Sequence, residues 1–164
     1  MFRVGILTVS DKGYQGERKD TAHLAIREAL KGGPYEVVAY EIVPDEPPMI
    51  KRVLRLWADR EGLDLILTCG GTGLGPRDRT PEATREVLER EAPGLPELMR
   101  LKGLEKTPMA ALSRGVAGVR GKALIVNLPG SPKGARESLE ALLPVLPHAL
   151  SLVTGKAWPE GAHG

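Results

Sequence analysis

Positions 2–9 are almost continuously apolar and end at the polar turn Ser10, Asp11, Lys12, Gly13, the pattern of a buried strand followed by a loop. That loop continues through Gly16 to Asp20, which is placed to cap a helix beginning at Thr21. Ala22, Ala25, Ile26, Ala29 and Leu30 then recur at helical spacing, and Gly32, Gly33 and Pro34 stop the helix. A second strand is predicted over 37–43, closed by Pro44, Asp45, Glu46, Pro47 and Pro48. Ile50, Val53, Leu54 and Trp57 form an amphipathic helical stripe that ends near Gly62, and 63–69 reads as a third strand. Further on, helices are predicted over 81–90, with Val87 and Leu88 inward, and over 93–104, with Leu95, Leu98, Met99 and Leu101 as the apolar set. Positions 109–112 suggest a helical turn. A short strand over 116–119 turns at Gly121 and Lys122 into a partner over 123–127. Ala135, Leu139, Leu142, Leu143 and Leu146 mark another helix, a short helix covers 147–153, and 158–164 is a tail.

Strands alternating with helices imply βαβ units and a parallel sheet. The expected fold is an α/β single-domain three-layer sandwich: a mostly parallel central sheet with an antiparallel edge and helices on both faces. The domain is expected to span 1–157. In such sheets ligands bind at the carboxyl ends of strands. The loops expected there carry Ser10 and Asp11, then Asp45 and Glu46, and then a glycine-rich loop.

That third loop is the strongest chemical signal. A buried strand leads into Gly70, Gly71, Gly73 and Gly75, then the charged triplet Arg77, Asp78, Arg79, then a helix opening at Thr80, Pro81, Glu82. Glycine allows close backbone approach, and loop amides beside a helix start favour an anion. Two nucleotide cradles are excluded. A P-loop requires Lys-Ser/Thr after its last glycine, where Pro76 and Arg77 stand. The dinucleotide fingerprint requires a third glycine where Pro76 stands. Taken alone the glycines also fit a purely structural turn; the charges beside them are what a turn does not require.

Asp45 and Asp78 follow predicted strand ends on one sheet edge. Two carboxylates beside a phosphate site suit a hard dication such as Mg²⁺. By position alone Asp45 is also an ordinary turn residue, and Asp78 a surface partner of Arg77 or Arg79. Gly130 and Ser131 precede a helix and form a second candidate anion site or an ordinary cap. Ser113 and Arg114 are phosphate-binding residue types without a distinctive local context. Cys69 ends a buried strand as a small core residue, and no histidine pair has zinc-ligand spacing.

Composition changes the picture little. A net charge of +2 is too small for a nucleic-acid footprint, and no apolar stretch is long enough to cross a membrane. A strand pattern from the first residues and a single cysteine lead to the expectation of a cytoplasmic protein. Asn127 and Gln15 are the only side-chain amides, and prolines number 14, a bias that suits either a thermophile or a GC-rich genome.

With these residues in place, the chain resembles the molybdenum-cofactor biosynthesis family, which includes bacterial molybdopterin adenylyltransferases and a domain of gephyrin. The resemblance rests on Leu65-Ile-Leu-Thr-Cys-Gly-Gly-Thr-Gly73 with Arg77-Asp78-x-Thr80-Pro81-Glu82. It is supported by Leu7-Thr-Val-Ser-Asp11, Ile42-Val-Pro-Asp-Glu46, Ser113-Arg114 and Asn127-Leu-Pro-Gly-Ser-Pro-Lys133, in family order over nearly the whole chain. It implies transfer of adenylate from Mg-ATP to molybdopterin, with release of pyrophosphate. The family's two functional aspartates, catalytic and metal-binding, fall on Asp45 and Asp78. Its substrate-binding segments fall on Ser10, Asp11, Gly70, Gly71, Thr72, Gly73, Ser113, Gly130 and Ser131. A homotrimer is implied, as are molybdopterin and ATP as ligands and a molybdenum-insertion protein as a pathway partner. The alternative is a non-catalytic molybdopterin-binding or scaffold paralogue. The compact length before the last helices resembles that branch, while the retained Pro-Asp-Glu and Arg-Asp segments favour the enzyme.

Overall fold

The apolar run at the start of the chain becomes β1 (Phe2–Val9), second from one edge of a six-stranded sheet. The structure, a computed structural model, describes residues 1–157; the tail expected over 158–164 lies outside the described residues. The other strands are β2 (Tyr35–Val43), β3 (Leu65–Cys69), β4 (Arg90–Glu91), β5 (Ala117–Arg120) and β6 (Ala123–Leu128), in the spatial order β2-β1-β3-β6-β5-β4. β2, β1, β3 and β6 run parallel, and β5 and β4 add the antiparallel edge through the hairpin at Gly121.

β3 and β6 are buried along their whole length because helices cover both faces. On one face, Phe2, Val4, Ile6, Leu65, Leu67, Leu124 and Val126 meet α2 (Ala22–Leu30), α5 (Gly94–Leu104), α6 (Pro132–Leu142) and α7 (Leu146–Thr154). On the other, Leu7, Val9, Ile66 and Ile125 meet α3 (Pro47–Arg55) with its continuing turn Leu56–Arg60, and α4 (Thr80–Val87). The alternation of side chains along each strand divides the core in this way. The expected three-layer α/β sandwich is therefore present.

Several local expectations differ. The turn after β1 is a short helix, α1 (Asp11–Tyr14), capped by the Ser10 hydroxyl, which accepts from Gly13 N–H at 3.0 Å. The helix expected over 81–90 ends at Val87, because the chain turns to pair Arg90 and Glu91 with β5. Both strand residues are exposed and charged, so β4 leaves no apolar alternation to read. Leu101 is 65% exposed. It lies two residues after the buried Met99, about 200° round the helix, and faces away from the core.

Candidate functional site

Three loops leave the carboxyl ends of β1, β2 and β3, and their backbones interlock before any ligand is considered. Asp11 N–H donates to Asp45 Oδ2 and Asp45 N–H donates to Asp11 Oδ1, both at 2.9 Å. This reciprocal pair fixes the β2 loop against the β1 loop. Arg77 then reaches across from the glycine loop, donating from Nε and Nη2 to the two oxygens of Asp11 at 3.1 and 2.9 Å, with Glu46 3.0 Å from Nη1. The guanidinium holds the Asp11 carboxyl below the usual aspartate range. Asp11, expected among the substrate contacts, thus acts as the tie between three loops.

Asp45 has the opposite environment. Partial burial pushes its carboxyl above the usual range, and the charges of Asp11 and Asp78 add to this effect. Its Oδ1 lies 3.1 Å from where a Gly71 Cβ would stand. Asp78 is held by its own turn: its N–H donates to Gly75 O at 3.0 Å, and its Oδ2 accepts from Gly75 N–H at 2.9 Å. A partly buried carboxylate facing a second one is costly as it stands and is relieved by a cation. The donor set fits Mg²⁺, which takes one or two carboxylates and completes its shell with phosphate oxygens and water. Among the described residues no third His, Cys, Asp or Glu joins them.

The glycine loop passes between strand ends with little space. Gly70 and Gly71 have φ of +104° and +69°, in the region open to glycine. Gly70 N–H donates to Leu128 O at 3.1 Å, and a Cβ on Gly130 would meet Gly70 Cα at 3.1 Å. The β3 and β6 loops therefore touch. Ser131 caps α6, its Oγ accepting from Gly134 N–H at 3.0 Å.

Two cavities open on either side of this contact and share Gly71, Asp78, Gly130 and Ser131 in their walls. One, of about 470 Å³, is bounded by Thr72, Gly73, Ser113 and Asn127 and by apolar groups including Pro96, Met99, Met109 and Leu112. The other, of about 480 Å³, is lined by Ser10, Asp45, Gly70, Arg18, Lys19 and Asp20. The candidate residues thus meet at one place but divide between two chambers, the first mostly apolar although Arg100, Lys102 and Lys106 also line it, the second more polar. Arg18 and Lys19 carried no signal in the sequence beyond their position in the first loop. Cys69 lines the second chamber, but burial pushes its thiol up to about 12, as suits a core residue rather than a nucleophile.

Arg114 proves to be the clamp on the glycine loop. It donates to Gly73 O and Asp78 O, each at 2.7 Å, and to Glu82 at 2.6 Å, while its N–H donates to Thr72 O at 2.8 Å. Arg114→Lys removes the planar fork and strands backbone carbonyls. We expect it to cost about 1–3 kcal/mol, read as a lower midpoint in urea unfolding with an unchanged slope.

The sequence pattern of a family described as a probable molybdopterin binding domain matches residues 5–148. A Helicobacter pylori protein named molybdopterin adenylyltransferase is 44% identical over 157 residues, covering 94% of this chain and 89% of its own length. The Drosophila melanogaster molybdenum cofactor synthesis protein cinnamon is 46% identical over 151 residues, or 91% of this chain, which spans only 25% of that longer protein. Among solved structures, the molybdopterin biosynthesis enzyme MoaB of Thermus thermophilus is 85% identical with a TM-score of 0.94. That match covers 97% of this chain and 100% of that one. By family match and by relatives alike, the chain belongs to the molybdenum-cofactor biosynthesis family.

Proposed function

We propose that this chain is a molybdopterin adenylyltransferase, and the observation that carries the reading is the shared wall between the two chambers. The first chamber, with its broad apolar wall of Pro96, Met99, Met109 and Leu112, suits a flat heterocycle, and the second, with Arg18 and Lys19 beside Asp45, suits a metal-bound polyphosphate. The phosphate of molybdopterin lies at the Gly130–Ser131 end of the first chamber, at the start of α6, where backbone amides favour anions. There it faces the α-phosphorus of ATP held in the second. An oxygen of the pterin phosphate forms the new bond to that phosphorus. The bond from the α-phosphorus to its bridging oxygen breaks, and pyrophosphate leaves with the electron pair. The nucleophile is already ionised, so no general base is needed; the protein positions two anions and neutralises charge. Asp45 and Asp78 would hold Mg²⁺, which neutralises the triphosphate when bound. Gly70 and Gly71 keep side chains out of the line between the two phosphates.

The enzyme works as a homotrimer in the cytoplasm. Leu101, Leu104, Met109 and Leu112, all at least 47% exposed on α5 and the turn after it, offer apolar surface for self-association. No helix among the described residues is long and apolar enough to cross a membrane. A molybdenum-insertion protein would take the product.

The test is pyrophosphate release from ATP with purified molybdopterin, paired with calorimetry of ATP binding with and without Mg²⁺. Release that requires both substrates supports the enzyme. Pterin binding without metal-dependent nucleotide affinity would instead identify a binding-only paralogue.

A further inference from the structure

The first chamber contains a carboxylate that the transfer chemistry does not use. Of the groups lining it, Asp78 and Glu137 are the acids, and Asp78 is shared with the neighbouring chamber. Glu137 sits in the second turn of α6. Ser131, Gly134, Glu137 and Ser138 all line the chamber, so one face of α6 runs along its wall. From Ser131 to Glu137 is six residues, about 9 Å along the helix axis. Lys106, also in the wall, lies 2.9 Å from Glu137 Oε2 and balances its charge while leaving other lone pairs available.

We propose that Glu137 reads the pyrimidine edge of the pterin ring, accepting from N3–H and from the exocyclic 2-amino group with its two oxygens. The inference rests on the reading that this chamber takes the pterin. Its geometry has two fixed ends. The start of α6 holds the phosphate at Gly130 and Ser131. About 9 Å farther along the helix axis, and about 120° round it, stands an acceptor pair in the same chamber wall that matches the two parallel donors of a 2-amino-4-oxopyrimidine. A carboxylate at that place in the wall selects for that edge, because a ring presenting a carbonyl in place of the amine sets oxygen against oxygen. Glu137 is thus a specificity residue, remote from the reacting phosphates.

The test is a fluorescence titration of the full chain with 6-hydroxymethylpterin and with 6-hydroxymethyllumazine, which carries a carbonyl where the pterin carries its amine. Wild type should favour the pterin by about tenfold or more. Glu137→Gln, whose amide accepts from N3–H and donates to the lumazine carbonyl, should bring the ratio to near one or reverse it. Glu137→Ala should weaken the pterin without gaining the lumazine. An unchanged ratio in Glu137→Gln overturns the inference, as does equal affinity for both rings, or affinity for neither, in the wild type. Pyrophosphate release separates the two readings. If wild type releases pyrophosphate while the ratio ignores Glu137, only the edge assignment fails. If the ratio responds to Glu137 while no pyrophosphate appears, only the transferase reading fails.

Discussion

Asp78→Asn and Asp45→Asn are each expected to lower the rate of pyrophosphate release by about 10²–10³-fold while leaving molybdopterin affinity largely intact. Both replacements keep the shape of the side chain and an acceptor oxygen. The Gly75 N–H bond to Asp78 Oδ2 and the Asp11 N–H bond to Asp45 Oδ2 can therefore persist, and the loops should stay in place. What is lost is negative charge, which in the proposed mechanism would position Mg²⁺ on the triphosphate. Stability should not fall with activity, because Asp45 is partly buried and repelled by Asp78 and Asp11. Removing one charge of that group relieves it. The double variant should be little slower than either single one, since in the proposed mechanism the two would hold one ion and act as a unit. Release rates at saturating ATP, pterin affinity by titration and thermal midpoints together check this. Wild-type turnover in both single variants would sink the assigned mechanism.

The parts of the fold that were legible in sequence were those where local pattern and burial coincide. β1 and β3 are nearly continuous apolar runs because both faces of the sheet are covered, and the stripe Ile50, Val53, Leu54, Trp57 is buried as its spacing requires. β4 was invisible because two exposed charged residues pair through backbone alone. The site divides similarly. Asp45, Asp78 and the glycines could be placed on one sheet edge because strand ends predict loop positions. The role of Asp11 could not be foreseen, because its partner Arg77 is 66 residues away and the tie exists only after three loops converge. Arg18, Lys19 and Glu137 look in sequence like ordinary solvated charges. What distinguishes them is the chamber each faces, and a chamber is made by tertiary packing.

The largest expected loss of stability belongs to Gly70→Ala, at about 3–5 kcal/mol, or roughly 10 °C in thermal midpoint. Two costs combine at this position. The backbone is at φ +104°, which a residue with a Cβ rarely adopts, and the new Cβ would stand 2.2 Å from Val9 O. That oxygen is backbone at the end of β1, held between β2 and β3, so it cannot yield as a flexible side chain would. Gly16→Ala separates the two costs: Gly16 also has positive φ, at +79°, but a Cβ there meets nothing within 4 Å. It should lose only the backbone term, about 1 kcal/mol. The difference between the two midpoints therefore measures how tightly β1 and β3 are pressed together at their carboxyl ends. Gly70 is also where the β3 loop touches Gly130. Any shift that accommodates the methyl group moves the wall between the chambers and with it the proposed line from one phosphate to the other. A Gly70→Ala protein that melts no lower than Gly16→Ala would mean that β1 gives way at Val9. The glycine loop would then be a flexible flap rather than the fixed partition on which the two-chamber reading depends.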